Sequence, residues 1–198
     1  MMNRVPELPA PPDSSCQEAH ESLMKAFEPA RAFCAWIDAS FGPVFVAKTR
    51  KGVCLIGFRR SEDELLADLE RRSLLPEMAP EKLDRERHEL GEYFQGKRRR
   101  FDVPVDLRWT TEFQRKVLEA ASRIPFGECC SYSDVARSVG RPNAQRAVGS
   151  ALGKNPVAIV IPCHRVVAAG GGIGGYTGGL DIKRTLMEIE GIELEEAG

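Results

Sequence analysis

Near residue 108 the texture of this chain changes, and the change limits what it can fold into. Before it, the β-branched apolar runs Val44-Phe45-Val46-Ala47 and Val53-Cys54-Leu55-Ile56-Gly57-Phe58 flank Thr49-Arg50-Lys51-Gly52, which predicts a hairpin. After it, apolar residues recur at helical spacing in short segments parted by Gly and Pro. The reading is an α/β module over residues 31–107 and a mostly α-helical one over residues 108–198. Residues 1–30, with Pro6, Pro9, Pro11 and Pro12, predict an extended arm carrying a short helix near residues 19–27.

Within the first module, Ser61 and Glu64 form a capping box ahead of Leu65, Leu66 and Leu69, which predicts a helix through Arg72. A second helix is expected over residues 81–95 with Gly96 as its stop, and a short strand over Val103–Leu107. Lys97 to Arg100 reads as a solvated basic linker. In the second module Thr111 and Gln114 open a helix that turns Phe113, Val117, Leu118 and Ala121 inward. Two shorter helices are expected next, residues 134–139 capped by Ser133 and residues 144–152 capped by Asn143, joined at Gly140-Arg141-Pro142. Helix, tight turn, helix is the plan of a helix-turn-helix nucleic-acid module. A last helix is expected from Asp181 to Glu190, with Gly191 beyond it.

The 198 residues suffice for two modest cores, and a net charge of −1 advertises no polyanionic partner, so a nucleic-acid surface has to come from local placement. The second helix of the pair supplies one. Ala144, Ala147, Gly149, Ser150 and Ala151 let its backbone approach a partner closely while Arg146 projects, which suits the minor groove better than base-edge reading in the major groove. Six cysteines without a C-x-x-C pair, three histidines (20, 88 and 164) and no apolar run of membrane length point to an intracellular, cytoplasmic protein without disulfide or metal site.

The chemistry centres on Ile161-Pro162-Cys163-His164-Arg165-Val166, a thiol beside an imidazole after the strand-like run Val157–Ile161 and ahead of a glycine-rich loop at Gly170–Gly175. A thiol near a base and a cation ionises and attacks carbon. Neighbours in extended chain point to opposite sides, so Cys163 and His164 need a turn or a bridging water to cooperate.

Asn155-Pro156-Val157, then Pro162-Cys163-His164-Arg165-Val166-Val167, Tyr176-Thr177-Gly178-Gly179 and Glu190-Gly191 closely resemble the O6-alkylguanine-DNA alkyltransferases. The strong match covers residues 108–191 and a looser one reaches back to about residue 35. The resemblance implies an RNase H-like α/β first module and a winged-helix, helix-turn-helix second module holding the thiol. It implies Cys163 as alkyl acceptor, His164 as its water-mediated base and Glu190 as the acid that orients His164. Asn155 falls on a hinge, Tyr132 on a tyrosine that turns a phosphate and assists protonation of the departing base, and Arg146 on a finger that fills the hole of a flipped nucleotide. Ala144, Gln145, Ala147, Gly149, Ser150, Arg165, Val166, Tyr176, Thr177 and Lys183 fall on the substrate and DNA side, with the Thr177 hydroxyl toward guanine O6. Gln145 and Ser150 depart from the small residues usual on that helix.

The implied partner is duplex DNA carrying O6-alkylguanine, with O4-alkylthymine as a second substrate. The implied state is a monomer, nucleoid-associated, or nuclear in a eukaryote. No cofactor is needed, because the lesion supplies the alkyl group and the thioether product is stable enough to spend the protein in one turnover. Two other classes compete. A cysteine hydrolase would turn over repeatedly and needs a base elsewhere, where only His20 and His88 stand. A non-catalytic lesion binder would lack the nucleophile that Cys163 supplies.

Overall fold

The computed structural model describes residues 29–170 and 172–193. The expected arm helix near residues 19–27 lies outside the described residues. Strands β1 (Ala30–Ile37), β2 (Val44–Thr49), β3 (Gly52–Phe58) and β4 (Leu74–Met78) form a four-stranded sheet in the order β3-β2-β1-β4. The expected hairpin is β2–β3, antiparallel from Val44↔Phe58 to Thr49↔Gly52 with a register shift at Ala47/Lys48. Its turn requires glycine at position 52, which sits at φ 139°, and a Cβ there would lie 2.3 Å from Pro104 O. Strands β1 and β4 had no separate expectation. Pro76 is tolerated in β4 because that strand is a sheet edge, where a missing donor costs no ladder bond.

Period-two alternation divides the sheet between two cores. Ala32, Cys34, Phe45 and Ala47 face helix α1 (Glu62–Glu70), whose Leu65 and Leu69 are fully buried, each contributing about 1.5–3 kcal/mol by burial. Both halves of the Ser61–Glu64 capping box are formed. Ala35, Ile37, Val44 and Val46 face the other way, into a core continuous with Val117, Leu118, Val148 and Leu186 of the helical module. The described residues from Arg31 onward accordingly form one compact unit, with a shared core on both sides of residue 108.

After β4 a 3-10 turn (Pro80–Leu83) leads into α2 (Asp84–Phe94), and Gly96 at φ 70° ends it. The segment expected as a strand over Val103–Leu107 shrinks to one parallel bridge, Val53↔Val105, because Pro104 has no N–H to extend the ladder. The basic run at 97–100 is more than a solvated linker: Arg98 bonds Glu92 Oε2 at 2.9 Å and Asp102 Oδ2 at 3.2 Å, while Arg99 lies over the Phe126 ring.

The second module begins with α3 (Glu112–Ser122), capped by Thr111 as expected, with Val117, Leu118 and Ala121 buried. Helix α4 (Tyr132–Ser138) is capped by Ser131, not Ser133, since only Ser131 has an acid, Asp134, at the third helical position to close a capping box. Helix α5 (Gln145–Gly153) starts without a side-chain cap; Ala144, not Asn143, holds that position, and Gln145 Nε2 donates instead to Pro142 O. Helix α6 (Leu180–Ile189) follows Gly179, so Asp181 lies inside its first turn, where it pairs with Arg59 rather than capping. Strands β5 (Cys130–Ser131) and β6 (Val166–Val167) form a short parallel pair at the base of this module. Cys129 and Cys130 are free thiols.

Candidate active site

The run Val157–Ile161, expected as a strand, is folded on itself. Ile161 N donates to Val157 O at 3.0 Å, and the Asn155 side chain closes the loop by donating to Ile161 O (2.9 Å) and accepting from Val157 N (3.1 Å). The closure holds Ile159 at φ 77°, a conformation a β-branched residue adopts at a cost of roughly 1–3 kcal/mol. Out of this knot comes a single 3-10 turn, Cys163–Arg165, that points its side chains apart.

Cys163 lines a cleft of about 1060 Å³, with its residue only 8 % exposed. Burial pushes its thiol above the ordinary range, against the opposing pull of the adjacent Asn155 amide and the Lys183 charge, so the resting sulfur is protonated. His164 points inward and is fully buried; its Nε2 lies 2.8 Å from Glu190 Oε1, and its Nδ1 meets no hydrogen-bonding group among the described residues. Burial lowers the His164 pKa despite the opposing pull of Glu190, so the ring is neutral at pH 7. Glu190, at the C-cap of α6, would be raised by burial, but bonds from His164, Arg165 and Tyr93 hold it at about 2. Its oxygens accept from His164, Tyr93 (2.6 Å) and Arg165 Nη2 (3.0 Å) on one side and from Arg165 Nε (2.8 Å) and Gly127 N (3.3 Å) on the other.

The remaining expected residues divide by position. Tyr132, Gln145, Arg146, Gly149, Tyr176 and Thr177 line the same cleft as Cys163. Gln145, Arg146, Ala147 and Ser150 are exposed along α5, and Ala144 is half-buried at its start. Three expected contact residues face inward instead. Arg165 is committed to Glu190 and to Ile124 O, because a buried guanidinium needs a counter-charge. Val166 has no exposed surface, and Lys183, also without exposed surface, donates to Val166 O (2.6 Å) and Ile173 O (2.5 Å), tying the glycine loop to the thiol turn. Burial lowers the Lys183 pKa to about 8. Thr177 Oγ1 spends its proton on Gly153 O at 2.5 Å and has to turn before it can donate elsewhere.

Sequence reasoning missed two first-module residues. Tyr93 of α2 reaches Glu190 and His164, and Phe58 of β3 stacks on Tyr176 at 6.1 Å between centroids. Phe58 also fixes Gly178, where a Cβ would fall 2.0 Å from its ring. A Tyr beside Leu90 and Phe94 on a largely charged helix gave no sign of its hydroxyl's partner; for Phe58 the contact partner is 118 positions away and no local pattern reveals it.

Fold and site together define a two-module helix-turn-helix protein in which a cysteine, backed by a buried histidine–glutamate pair, opens onto the cleft beside the second helix of the motif. Family models match both parts: the ribonuclease-like domain of 6-O-methylguanine DNA methyltransferase over residues 32–107 and the DNA-binding domain of the same enzyme over residues 112–192. An inducible methylated-DNA–protein-cysteine methyltransferase of Bacillus subtilis is 41% identical over 74% of this chain and 83% of its own length. A methylated-DNA–protein-cysteine methyltransferase of Mycolicibacterium paratuberculosis is 53% identical over 52% of this chain; that match spans 61% of the relative's length. The OGT of Mycobacterium tuberculosis, solved in complex with DNA, superposes with a TM-score of 0.69 at 36% identity, covering 80% of this chain and 92% of that one. This chain belongs to the 6-O-methylguanine DNA methyltransferase family. Its first module is ribonuclease-like and its second is a DNA-binding domain. Among the described residues no helix is long and apolar enough to cross a membrane, and no group of His, Cys, Asp and Glu could hold a metal ion.

Proposed function

We propose that this protein repairs alkylated DNA by direct reversal, moving the alkyl group of O6-alkylguanine once and irreversibly onto Cys163 Sγ. The observation that carries the reading is the placement of Cys163 in the cleft that α5 shares, with its neighbour His164 turned inward onto Glu190. Nε2 faces Glu190, so Nδ1 is the free base of the ring and takes the thiol proton through one water. The thiolate attacks the sp3 carbon on O6. The C–O pair returns to the guanine, which leaves as the neutral base once protonated, and Tyr132, on the cleft wall, assists that proton transfer.

A base stacked in duplex DNA cannot reach a thiol at the floor of a cleft, so the nucleotide must flip out, at a cost of a few kcal/mol. Arg146, exposed on α5 at the cleft mouth, offsets that cost by occupying the vacancy, and the small exposed residues of α5 fit the minor groove. The protein acts as a monomer, and O4-alkylthymine enters the same cleft as a second substrate. The raised thiol pKa fits a stoichiometric acceptor, because a sulfur kept protonated at rest is spared adventitious alkylation.

The test is intact mass after mixing with duplex DNA carrying one O6-methylguanine. The expected result is a single methyl gain located on Cys163, absent in Cys163→Ser, whose hydroxyl is far less acidic than a thiol. A released methyl product with repeated turnover, or methylation of Cys129, would remove Cys163 from this role.

A further inference from the structure

Tyr93 belongs to the ribonuclease-like module, yet its hydroxyl ends in the machinery of the other one. The residue has no exposed surface, and the rings of Phe94, Phe101 and Phe126 fix its own ring at centroid distances of 5.9, 5.2 and 6.3 Å. Its oxygen lies 2.6 Å from Glu190 Oε1 and 3.3 Å from His164 Nε2. A phenylalanine would satisfy the same aromatic packing without a polar atom to desolvate, so packing alone does not call for the hydroxyl.

The proton positions follow from what each group can do. An ionised carboxylate only accepts, so the Tyr93 proton points at Glu190, and the lone pairs of its oxygen are left facing the imidazole. His164 Nε2 therefore meets two acceptors, Glu190 Oε1 at 2.8 Å and the Tyr93 oxygen at 3.3 Å, and no donor that would suit a bare nitrogen. We infer that Tyr93 is a positioning residue for the transfer: by donating to the same Glu190 oxygen that holds His164 Nε2, it limits how strongly Glu190 draws a second proton onto the ring and so keeps Nδ1 bare to receive the proton of Cys163. The inference rests on the reading of Cys163 as alkyl acceptor. Burial and the adjacent Glu190 charge keep the Tyr93 phenol protonated well beyond its ordinary range, so it remains a donor throughout the working pH range.

The charged and titratable groups that bear on His164 are Glu190 and Lys183 from α6, Arg165 from its own turn and Tyr93 from α2. Without the Tyr93 hydroxyl, Glu190 loses one of its donors and becomes a stronger acceptor toward a protonated imidazole. The proton affinity of His164 rises, and the acid limb of the transfer rate moves to higher pH. A hydroxyl that only stabilised the fold would leave that limb where it is.

The experiment uses the full chain with Tyr93→Phe. Nitrogen-15 shifts of the His164 ring report its tautomer and its protonation across pH, and single-turnover transfer from free O6-benzylguanine, which needs no flipping, reports the rate against pH. The unaltered protein is expected to show a neutral Nε2–H ring at pH 7, and the variant a ring that protonates at higher pH, with the acid limb of transfer shifted upward and transfer on that limb slowed roughly 5- to 50-fold. A ring that is not Nε2–H in the unaltered protein overturns the inference without any variant, and an unchanged midpoint of ring protonation in Tyr93→Phe overturns it whatever the rate. Absence of a methyl gain by the unaltered protein from duplex O6-methylguanine removes the alkyl-acceptor reading, while the comparison of ring protonation still decides the role of Tyr93.

Discussion

Glu190 illustrates how much one residue in this site is asked to do. It is the counter-charge of a buried guanidinium, the orienting partner of a buried imidazole and an acceptor for a first-module phenol. Replacing it with glutamine keeps the shape but puts an amide NH2 against donors, and strands the Arg165 charge in a position only 6 % exposed. Breaking a buried pair by removing one partner costs about 3–5 kcal/mol. Glu190→Gln is therefore expected to lower the unfolding free energy obtained from urea titration by an amount in that range, as well as to slow transfer in the protein that remains folded by roughly 10- to 1000-fold. Urea titration and single-turnover kinetics at low temperature separate the two effects. An unchanged midpoint with a reduced rate would mean that Arg165 finds other partners.

At the scale of elements, the segment between α5 and the thiol turn does the positioning. Asn155 supplies both side-chain bonds that fold residues 157–161 back, and with alanine there, Val157 N loses its acceptor while Ile161 O keeps only the Cys163 N–H at 2.8 Å. One buried donor left unsatisfied costs about 1–3 kcal/mol and one further lost hydrogen bond about 0.5–1.5 kcal/mol, so Asn155→Ala is expected to destabilise by about 2–4 kcal/mol and to slow transfer more than a surface substitution on α5 such as Ser150→Ala. Thermal melts with matched transfer rates check it, and equal rates for the two variants would deny the segment its positioning role. This segment also marks where sequence stops being informative. Local signals that act over three or four residues were legible: the Ser61–Glu64 box, the Thr111 cap, the hairpin at Gly52 and the stop at Gly96. Five apolar residues in a row fit a buried strand and a buried turn equally well, and what decides is an Asn155 side chain bonding six positions away. The thiol, its histidine and Glu190 were legible through a dense motif, whereas Tyr93 was not, because it comes to Glu190 across 97 positions. Arg165 and Lys183, expected on the substrate and DNA side, turn inward for a related reason: a cation in sequence does not show the buried carboxylate or carbonyls that will hold it.

For the whole molecule, the two modules share one core and are pinned at further points that include Tyr93 on Glu190, Phe58 on Tyr176, Arg59 on Asp181 and Ile56 N on Pro156 O. Their unfolding is expected to be a single event, with a pH dependence set by buried groups of both modules. On the acid side His164 and Glu190 both have depressed pKa values, so the unfolded chain binds protons that the folded one refuses. Their contribution is complete above pH 6.5. It is lost first as His164 takes a proton below that point, then as pH falls from 4.5 toward the Glu190 value of about 2. On the alkaline side two effects oppose. Burial pushes Lys183 down to about 8, so from there to 10.5 the unfolded chain holds a proton the folded one has released, and stability gains with pH. Burial pushes Cys34 and Cys130 up to about 11 and Cys54 to about 12, so above 9 the unfolded chain loses protons the folded one keeps, and stability falls. Three thiols outweigh one lysine. Urea midpoints measured across pH are therefore expected to be highest between pH 6.5 and 9 and to decline on both sides. Cys54→Ala should soften the alkaline decline while leaving the acid limb in place. An alkaline limb unmoved by that substitution, or a midpoint that stays level from pH 6.5 down to 4.5, would show that these buried groups do not control the stability of the fold.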